Sequence, residues 1–187
     1  MKWTAEFGLL VSHVANLHVK QTRKGPQGAF LRIPYVIHPL QVLQRVKRWG
    51  IHEANEQNKD LWKAVLFHDS IEDTTANYEH LIGLIGKASA DIVLELTHFV
   101  DEDAQDYMSS FCEKSVASLV AKIADRLCNV EDFFLDSPDY ALKYFHKADQ
   151  IFETYNSRKE EVRSTFGDNT VLAIDTDIKD VLERISS

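Results

Sequence analysis

Apolar residues recur along most of the chain at the three- and four-residue spacing that is typical of amphipathic helices. Besides a helix within 61–74, this spacing predicts helices over 3–20, 35–49, 78–85, 88–99, 113–130, 138–158 and 175–185. Gly50 ends the second of these, and Ser137 and Pro138 are a typical N-cap and first-turn proline. The segment 21–34 is predicted to be a loop, because two glycines and two prolines interrupt the pattern. The predicted fold class is therefore all-α, a single-domain helical bundle.

The stretch 61–74, with the sequence LWKAVLFHDSIEDT, places two polar pairs after an apolar run. The pairs are His68-Asp69 and Glu72-Asp73, which stand four residues apart member for member. On one helix, residues four apart share a face with Cβ atoms about 6 Å apart, so one imidazole and three carboxylates would converge. Burying so much negative charge without a partner is very unfavourable, and a cation is the natural partner. The spacing alone therefore makes this stretch a candidate metal site.

Composition and charge limit the classes of protein and ligand. The chain has 187 residues, enough for one domain with a sizeable core and few for two, and its net charge is −8. That charge argues against binding of a nucleic acid polymer, which needs a broad basic surface. A small anionic ligand needs only a local basic cluster, and Arg23, Lys24 and Arg32 form the densest one before the candidate metal site. Two interpretations of this cluster stay open, an anion clamp and a solvated loop.

Cysteine usage and the apolar runs indicate the cellular compartment. Cys112 and Cys128 stand 16 positions apart with no CxxC pattern, which predicts buried thiols in a reducing compartment. The first 20 residues lack a small-residue cleavage site, so they predict a helix rather than a signal peptide. No apolar run approaches the length of a membrane span. We therefore expect a cytoplasmic protein with no membrane partner.

Polar residues also mark two other predicted helices. His38 stands at the start of the helix over 35–49, where a lone histidine is usually structural. Asp125 and Asn129 lie one turn apart beside the apolar stripe of the helix over 113–130. His13 and His18, on the first helix, are expected to be surface or rim residues rather than metal ligands.

Three motifs occur in order near helix ends. They are His38-Pro39 shortly after Pro34-Tyr35, then LFHDSIEDT, then KIADRLCNV. This order resembles the HD-domain metal-dependent phosphohydrolases, specifically the hydrolase domain of the bacterial RelA/SpoT (p)ppGpp enzymes and the small stand-alone alarmone hydrolases. The resemblance covers about residues 5–155. It implies a single HD domain over 1–187, with a C-terminal helical extension at 156–187.

The resemblance implies roles for residues of each motif. Glu72 and Asp73 match the catalytic acidic pair, which orients and deprotonates the attacking water. The ion is usually Mn²⁺, although another divalent metal would also fit, and the implied ligands are His38, His68, Asp69 and Asp125. The implied substrate-binding residues are Arg23, Lys24 and Asn129. Two further residues fit the family pattern or can simply pair with the carboxylates of the cluster, namely Lys122 and Arg126.

The implied reaction is hydrolysis of the 3′-diphosphate of ppGpp or pppGpp to GDP or GTP and pyrophosphate. The chain departs from the family pattern in a longer connection at 29–34 and in His98-Phe99-Val100, where relatives tend to carry charged residues. One alternative is an HD phosphohydrolase that acts on a dNTP, a nucleoside monophosphate or NADPH. Another is a catalytically inactive nucleotide sensor, against which the presence of Glu72 and Asp73 argues.

Overall fold

The computed structural model describes residues 4–24 and 32–187, with the backbone alone at Lys24. The helices are α1 (Ala5–Leu17), α2 (Ile37–Arg48), α3 (Glu56–Phe67), α4 (Ser70–Asp73), α5 (Tyr78–Ile85), α6 (Lys87–Leu96), α7 (Ala104–Ser109), α8 (Val116–Phe134), α9 (Pro138–His146), α10 (Asp149–Ser157), α11 (Lys159–Phe166) and α12 (Asp168–Ile185). A 3₁₀ turn over Ser110–Cys112 follows α7. The strands are β1 (Thr22–Lys24) and β2 (Arg32–Pro34). The predicted all-α fold class is confirmed.

Helix ends that are set by local chemistry agree with the sequence. The side chain of Asn77 accepts a hydrogen bond from the backbone N–H of His80, and helix α5 then runs over the predicted 78–85. Ser137 likewise caps α9. Gly50 follows α2 with a φ of +86°, a left-handed conformation that glycine adopts without strain.

Other parts of the predicted pattern are wrong. The segment 21–34 contains an antiparallel pair of strands, with Arg23 opposite Ile33, rather than only a loop. The stretch 61–74 is two helices that break between His68 and Ser70, and 138–158 is likewise divided, into α9 and α10. The last helix begins at Asp168 instead of 175. The rest of the basic segment, including 29–31 of the longer connection, lies outside the described residues.

Helix α8 is the centre of the core and packs against α2, α3, α6, α9, α10, α11 and α12. Its residues from 117 to 125 are all buried, because apolar or paired side chains cover every face of the helix. A functional residue on α8 is therefore surrounded by the other helices.

A buried arginine links α12 to the two helices that carry His38 and Asp125. Arg45 on α2 is fully buried, and its Nη2 lies 2.7 Å from Oε2 of Glu131 on α8. Its Nε lies 3.1 Å from Oδ2 of Asp177 on α12, which also accepts a hydrogen bond of 2.8 Å from the Trp49 indole. The C-terminal helix thus contacts the helices of the candidate site through charge as well as packing.

Two expectations about compartment can be compared with the structure. Cys128 is buried, but Cys112 is exposed, so the prediction of two buried thiols is wrong for Cys112. In the part of the chain that the structure describes, no helix has both the length and the apolar character that crossing a membrane requires.

Candidate metal centre and cleft

The three helices α2, α3 and α8 bring the candidate ligands together. His38 is the second residue of α2, and Asp125 lies in the buried middle of α8. His68 is the C-cap of α3, and Asp69 precedes α4. The Asp69 side chain makes no capping hydrogen bond to α4, which leaves its carboxylate available to the site.

The polar atoms of these residues form one compact cluster. Oδ1 of Asp125 lies 3.1 Å from Nε2 of His38 and 3.7 Å from Nε2 of His68. One ligand atom from each of these three buried residues lies within 4.8 Å of the others. Oδ2 of Asp69 lies 3.0 Å from Nε2 of His68, so the fourth predicted ligand stands beside the same group.

The hydrogen bonds of the histidines suit a cation at this cluster. Nδ1 of His68 lies 2.8 Å from the carbonyl oxygen of Val65 and must be the donor, because a carbonyl only accepts. This contact directs Nε2 toward the carboxylates, an arrangement that is common for metal-binding histidines. Nε2 of His68 and Nδ1 of His38 are buried without a hydrogen-bond partner among the described residues. Two imidazoles and carboxylates are suitable ligands for a divalent transition metal.

The charges of the cluster shift its pKa values strongly. Burial alone disfavours the charged imidazole of His68, but the carboxylates of Asp69 and Asp125 outweigh it and raise the pKa of His68 to about 10. Burial likewise opposes ionisation of Asp125, yet Lys122 and the two histidines hold its pKa well below the ordinary value. Burial lowers the pKa of His38. The carboxylates of the metal-free cluster therefore favour the protonated imidazole of His68, and a cation held by these residues would compete with that proton.

Tyr35 and His18 support the cluster from the side of α1. The Tyr35 hydroxyl donates a hydrogen bond to Oδ2 of Asp69, and burial followed by the Asp69 charge raises the pKa of the phenol. The His18 ring stacks on Tyr35 with 4.5 Å between centroids. His18 is buried, so its predicted position at the surface or rim is wrong. Tyr35 stood in the quoted motif, but nothing in the local pattern indicated its partner.

Comparisons with known proteins give curated relatives, although no family model matches the chain. Guanosine-3′,5′-bis(diphosphate) 3′-pyrophosphohydrolase MESH1 of Danio rerio is 27% identical over 150 residues, which cover 75% of this chain and 79% of that protein. The MESH1 enzyme of Drosophila melanogaster is 28% identical over 139 residues, or 72% of this chain and 73% of the relative. A probable enzyme of the same name from Synechocystis is 26% identical over 153 residues, which cover 76% of this chain and 19% of that protein.

A solved structure supplies the comparison of folds. It was reported under the words "A metazoan ortholog of SpoT hydrolyzes ppGpp and plays a role in starvation responses". It matches with a TM-score of 0.73 and 23% identity, over 96% of this chain and 97% of that one. The chain resembles the ppGpp 3′-pyrophosphohydrolases in sequence and has the fold of this SpoT ortholog.

The residues that the resemblance assigns to catalysis lie in a cleft of about 270 Å³ beside the cluster. Glu72 and Asp73 line it together with His38, Asp69 and Asp125. Oε2 of Glu72 accepts a hydrogen bond of 3.0 Å from the backbone N–H of His98, which fixes the carboxylate. Partial desolvation, and then the charges of Asp69 and Glu72, raise the pKa of Asp73.

The predicted substrate-binding residues are only partly brought together. Arg23 donates from Nη2 to Oδ1 of Asn129, and its Nη1 lies 3.5 Å from Oδ2 of Asp132. Asn129 in turn donates a hydrogen bond of 2.6 Å to Oδ1 of Asp125. Arg32 is exposed and contacts Thr22, and the side chain of Lys24 lies outside the described residues. Arg23 is thus connected to the cluster through Asn129.

Two further cations line the cleft and differ in their partners. Nζ of Lys122 lies 3.5 Å from Oδ2 of Asp125, whose charge outweighs burial and raises the pKa of the lysine. The guanidinium of Arg126 instead lies over the ring of Tyr144, 5.0 Å from its centroid. The sequence indicated both residues but could not separate these two roles.

Proposed function

We propose that this protein hydrolyses the 3′-diphosphate of ppGpp or pppGpp to GDP or GTP and pyrophosphate. The observation that carries the proposal is the buried group of His38, His68 and Asp125 within 4.8 Å, on a chain whose relatives bear the name of that activity. Glu72 and Asp73 in the adjoining cleft supply carboxylates in addition to the group that would hold a metal.

His38, His68, Asp69 and Asp125 would hold the cation, and we propose Mn²⁺. When bound, such a cation neutralises charge on a phosphoryl group and lowers the pKa of water. The cluster fits this role because it offers two buried imidazoles, each with one ring nitrogen that has no hydrogen-bond partner among the described residues, and two carboxylates.

Glu72 and Asp73 carry out the proton transfers in this proposal. Glu72 accepts a proton from the attacking water in this proposal, because it lines the cleft and the His98 N–H fixes its carboxylate through Oε2. The water oxygen bonds to the phosphorus that carries the ribose 3′ oxygen, and the bond between this phosphorus and that oxygen breaks. The 3′ oxygen leaves with a proton, and the diphosphate leaves as pyrophosphate. The raised pKa of Asp73 makes it suitable as the donor of that proton.

Substrate binding, domain extent and compartment belong to the same proposal. Arg23, Asn129 and Lys24 bind the nucleotide, supported by the contact of Arg23 with Asn129. Residues 1–187 form one HD domain with 156–187 as its helical extension, supported by the ion pair of Arg45 with Asp177. The partner is a small nucleotide, with no nucleic acid polymer and no membrane, and the location is cytoplasmic.

A panel of substrates tests the proposal. The metal-stripped protein is reloaded with Mn²⁺ and incubated with ppGpp, pppGpp, each dNTP, nucleoside monophosphates and NADPH, and the products are resolved by ion-exchange chromatography. We expect the highest kcat/KM for ppGpp or pppGpp, with GDP or GTP and pyrophosphate as products. Preferred hydrolysis of a dNTP, a monophosphate or NADPH would replace this function with another phosphohydrolase activity. Nucleotide binding with no turnover would make the protein a sensor.

A further inference from the structure

Arg126 is a cation of the cleft, and it has no anionic partner in the part of the chain that the structure describes. It lines the same cleft as His38, Asp69 and Asp125. No carboxylate lies within 4.0 Å of its guanidinium in the ranges 4–24 and 32–187. Its Nε is buried without a hydrogen-bond partner among these residues, and Nη2 contacts only the weak acceptor Sδ of Met108, at 3.8 Å.

Its neighbours hold Arg126 in place without neutralising its charge. The guanidinium stacks on the Tyr144 ring, and Phe133 packs edge-on against that ring with 4.8 Å between centroids. Lys122, by contrast, has the Asp125 carboxylate 3.5 Å away. Arg23 also has acceptors, in Asn129 and Asp132. Of these three cations, Arg126 is the one without a carboxylate partner among the described residues, and its Nε is a buried donor that a ligand can use.

We propose that Arg126 binds the terminal phosphate of the diphosphate group that is hydrolysed. This inference rests on the proposed function and names the residue that recognises the reacting arm. An unpaired guanidinium presents a planar fork of N–H donors that matches phosphate oxygens. Arg126 directly follows Asp125 on α8, and both residues line the cleft of about 270 Å³. A phosphate bound by Arg126 would therefore belong to the diphosphate arm that is hydrolysed beside Asp125.

The rest of the nucleotide has separate space. A second cavity of about 700 Å³ is lined by Arg23, Tyr35 and Tyr140, and Tyr35 lines both cavities. A nucleoside and its second diphosphate arm can therefore extend away from Arg126. This division predicts that Arg126 distinguishes a 3′-diphosphate from a 3′-monophosphate and is insensitive to the 5′ arm.

Binding of inorganic pyrophosphate to the Mn²⁺-loaded protein tests the subsite without turnover. Isothermal titration should show about tenfold to hundredfold weaker binding for Arg126→Met, the range expected when a hydrogen bond to a charged group is lost. Arg126→Lys, which keeps the charge but not the fork, should bind with intermediate affinity. The matched control is Arg48→Met, an exposed arginine on α2, and its affinity should be unchanged. Equal affinity of Arg126→Met and the unchanged protein would overturn the proposal.

A truncated nucleotide tests which phosphate is contacted. Guanosine 5′-diphosphate 3′-monophosphate lacks the terminal phosphate of the reacting arm. Its inhibition constant against Arg126→Met should therefore be within about twofold of its inhibition constant against the unchanged protein. The same variant should raise the KM for ppGpp about tenfold or more. Equal losses for both compounds would overturn the assignment, since Arg126 would then contact another part of the nucleotide.

The two proposals can fail separately. If ppGpp is not hydrolysed but pyrophosphate binding depends on Arg126, the proposed substrate is wrong and the phosphate subsite stands. If ppGpp is hydrolysed and Arg126→Met binds pyrophosphate normally, the proposed function stands and the phosphate subsite at Arg126 is wrong. Should Arg126→Met fail to fold by circular dichroism, Arg126→Lys carries the test, and unchanged pyrophosphate affinity in that folded variant would overturn the fork-like contact.

Discussion

Replacing Asp125 with asparagine should destabilise the metal-free protein because it leaves a buried lysine without a counter-charge. Lys122 is 8% exposed, and the Asp125 carboxylate 3.5 Å from its Nζ is its ion-pair partner among the described residues. Asparagine keeps the shape of the side chain and removes the charge. Asp125→Asn therefore removes the counter-charge of Lys122, together with one of the acceptor oxygens that face Lys122, His38 and Asn129.

The expected loss follows from the burial of the pair. Removing one partner of a buried ion pair costs about 3–5 kcal/mol, because the other charge stays buried and unpaired. For a chain of this size that corresponds to a melting temperature lower by about 6–20 °C. The double variant Asp125→Asn/Lys122→Met removes both charges and should recover most of the loss. Mn²⁺ at about a hundred times its Kd should stabilise the unchanged protein by about 2.7 kcal/mol. It should stabilise the single and the double variant much less, because both lack the Asp125 carboxylate.

Urea denaturation in chelator, followed by circular dichroism, measures these differences, and the titration is then repeated with Mn²⁺. The control is Asp91→Asn, which breaks the exposed Lys87–Asp91 pair with its Nζ–Oδ2 distance of 2.8 Å and should change stability little. The ion pair does not stabilise the protein as expected if the free energy of unfolding of Asp125→Asn lies within about 1 kcal/mol of that of the unchanged protein. The same follows if adding Lys122→Met to Asp125→Asn does not restore stability.

Three further predictions concern the acidic pair, pH and the buried arginine. Glu72→Gln should keep bound Mn²⁺ by elemental analysis but lower kcat about 10²–10⁴-fold, and near-full activity would contradict its role as base. In the metal-free protein His68 has a pKa raised from 6.5 to about 10, so its contribution to stability is complete below pH 6.5 and is lost as pH rises through about 10. Urea denaturation in chelator should follow that fall, whereas a flat profile would contradict it. Arg45→Met leaves Asp177 without its buried cation and Glu131 with only its exposed partner Arg184, and it should cost about 3–5 kcal/mol by urea denaturation. A loss below about 1 kcal/mol would contradict this expectation.

The amphipathic pattern predicts most helices of this chain because helix periodicity and caps are local properties. Asn77 and Ser137 have capping side chains in the sequence, and both cap helices in the structure. No glycine or proline marks the break between α3 and α4 at Asp69. The Asp69 side chain contacts Tyr35 and His68 instead of capping α4. The strands at β1 and β2 depend on pairing with each other, which a single-strand pattern does not contain.

The candidate site was predictable only in part from spacing. The sequence placed His68, Asp69, Glu72 and Asp73 near one another, but 87 positions separate His38 from Asp125, and only the family resemblance connected them. Arg23 and Asn129 are 106 positions apart in the sequence, so residue spacing could not indicate that the Arg23 guanidinium donates a hydrogen bond to the Asn129 side chain. The division of Lys122 and Arg126 into a paired and an unpaired cation likewise depends on tertiary packing.

Metal-dependent hydrolysis of ppGpp is tested most directly by measuring the release of pyrophosphate by metal-stripped protein before and after Mn²⁺ is added back. We expect no release without metal, and equimolar GDP and pyrophosphate once Mn²⁺ is present. We also expect no recovery by Mn²⁺ in Asp69→Ala, which lacks one of the proposed ligands. Release of single phosphate, turnover that is unaffected by chelation, or full Mn²⁺-dependent activity in Asp69→Ala would contradict a metal-dependent 3′-pyrophosphohydrolase.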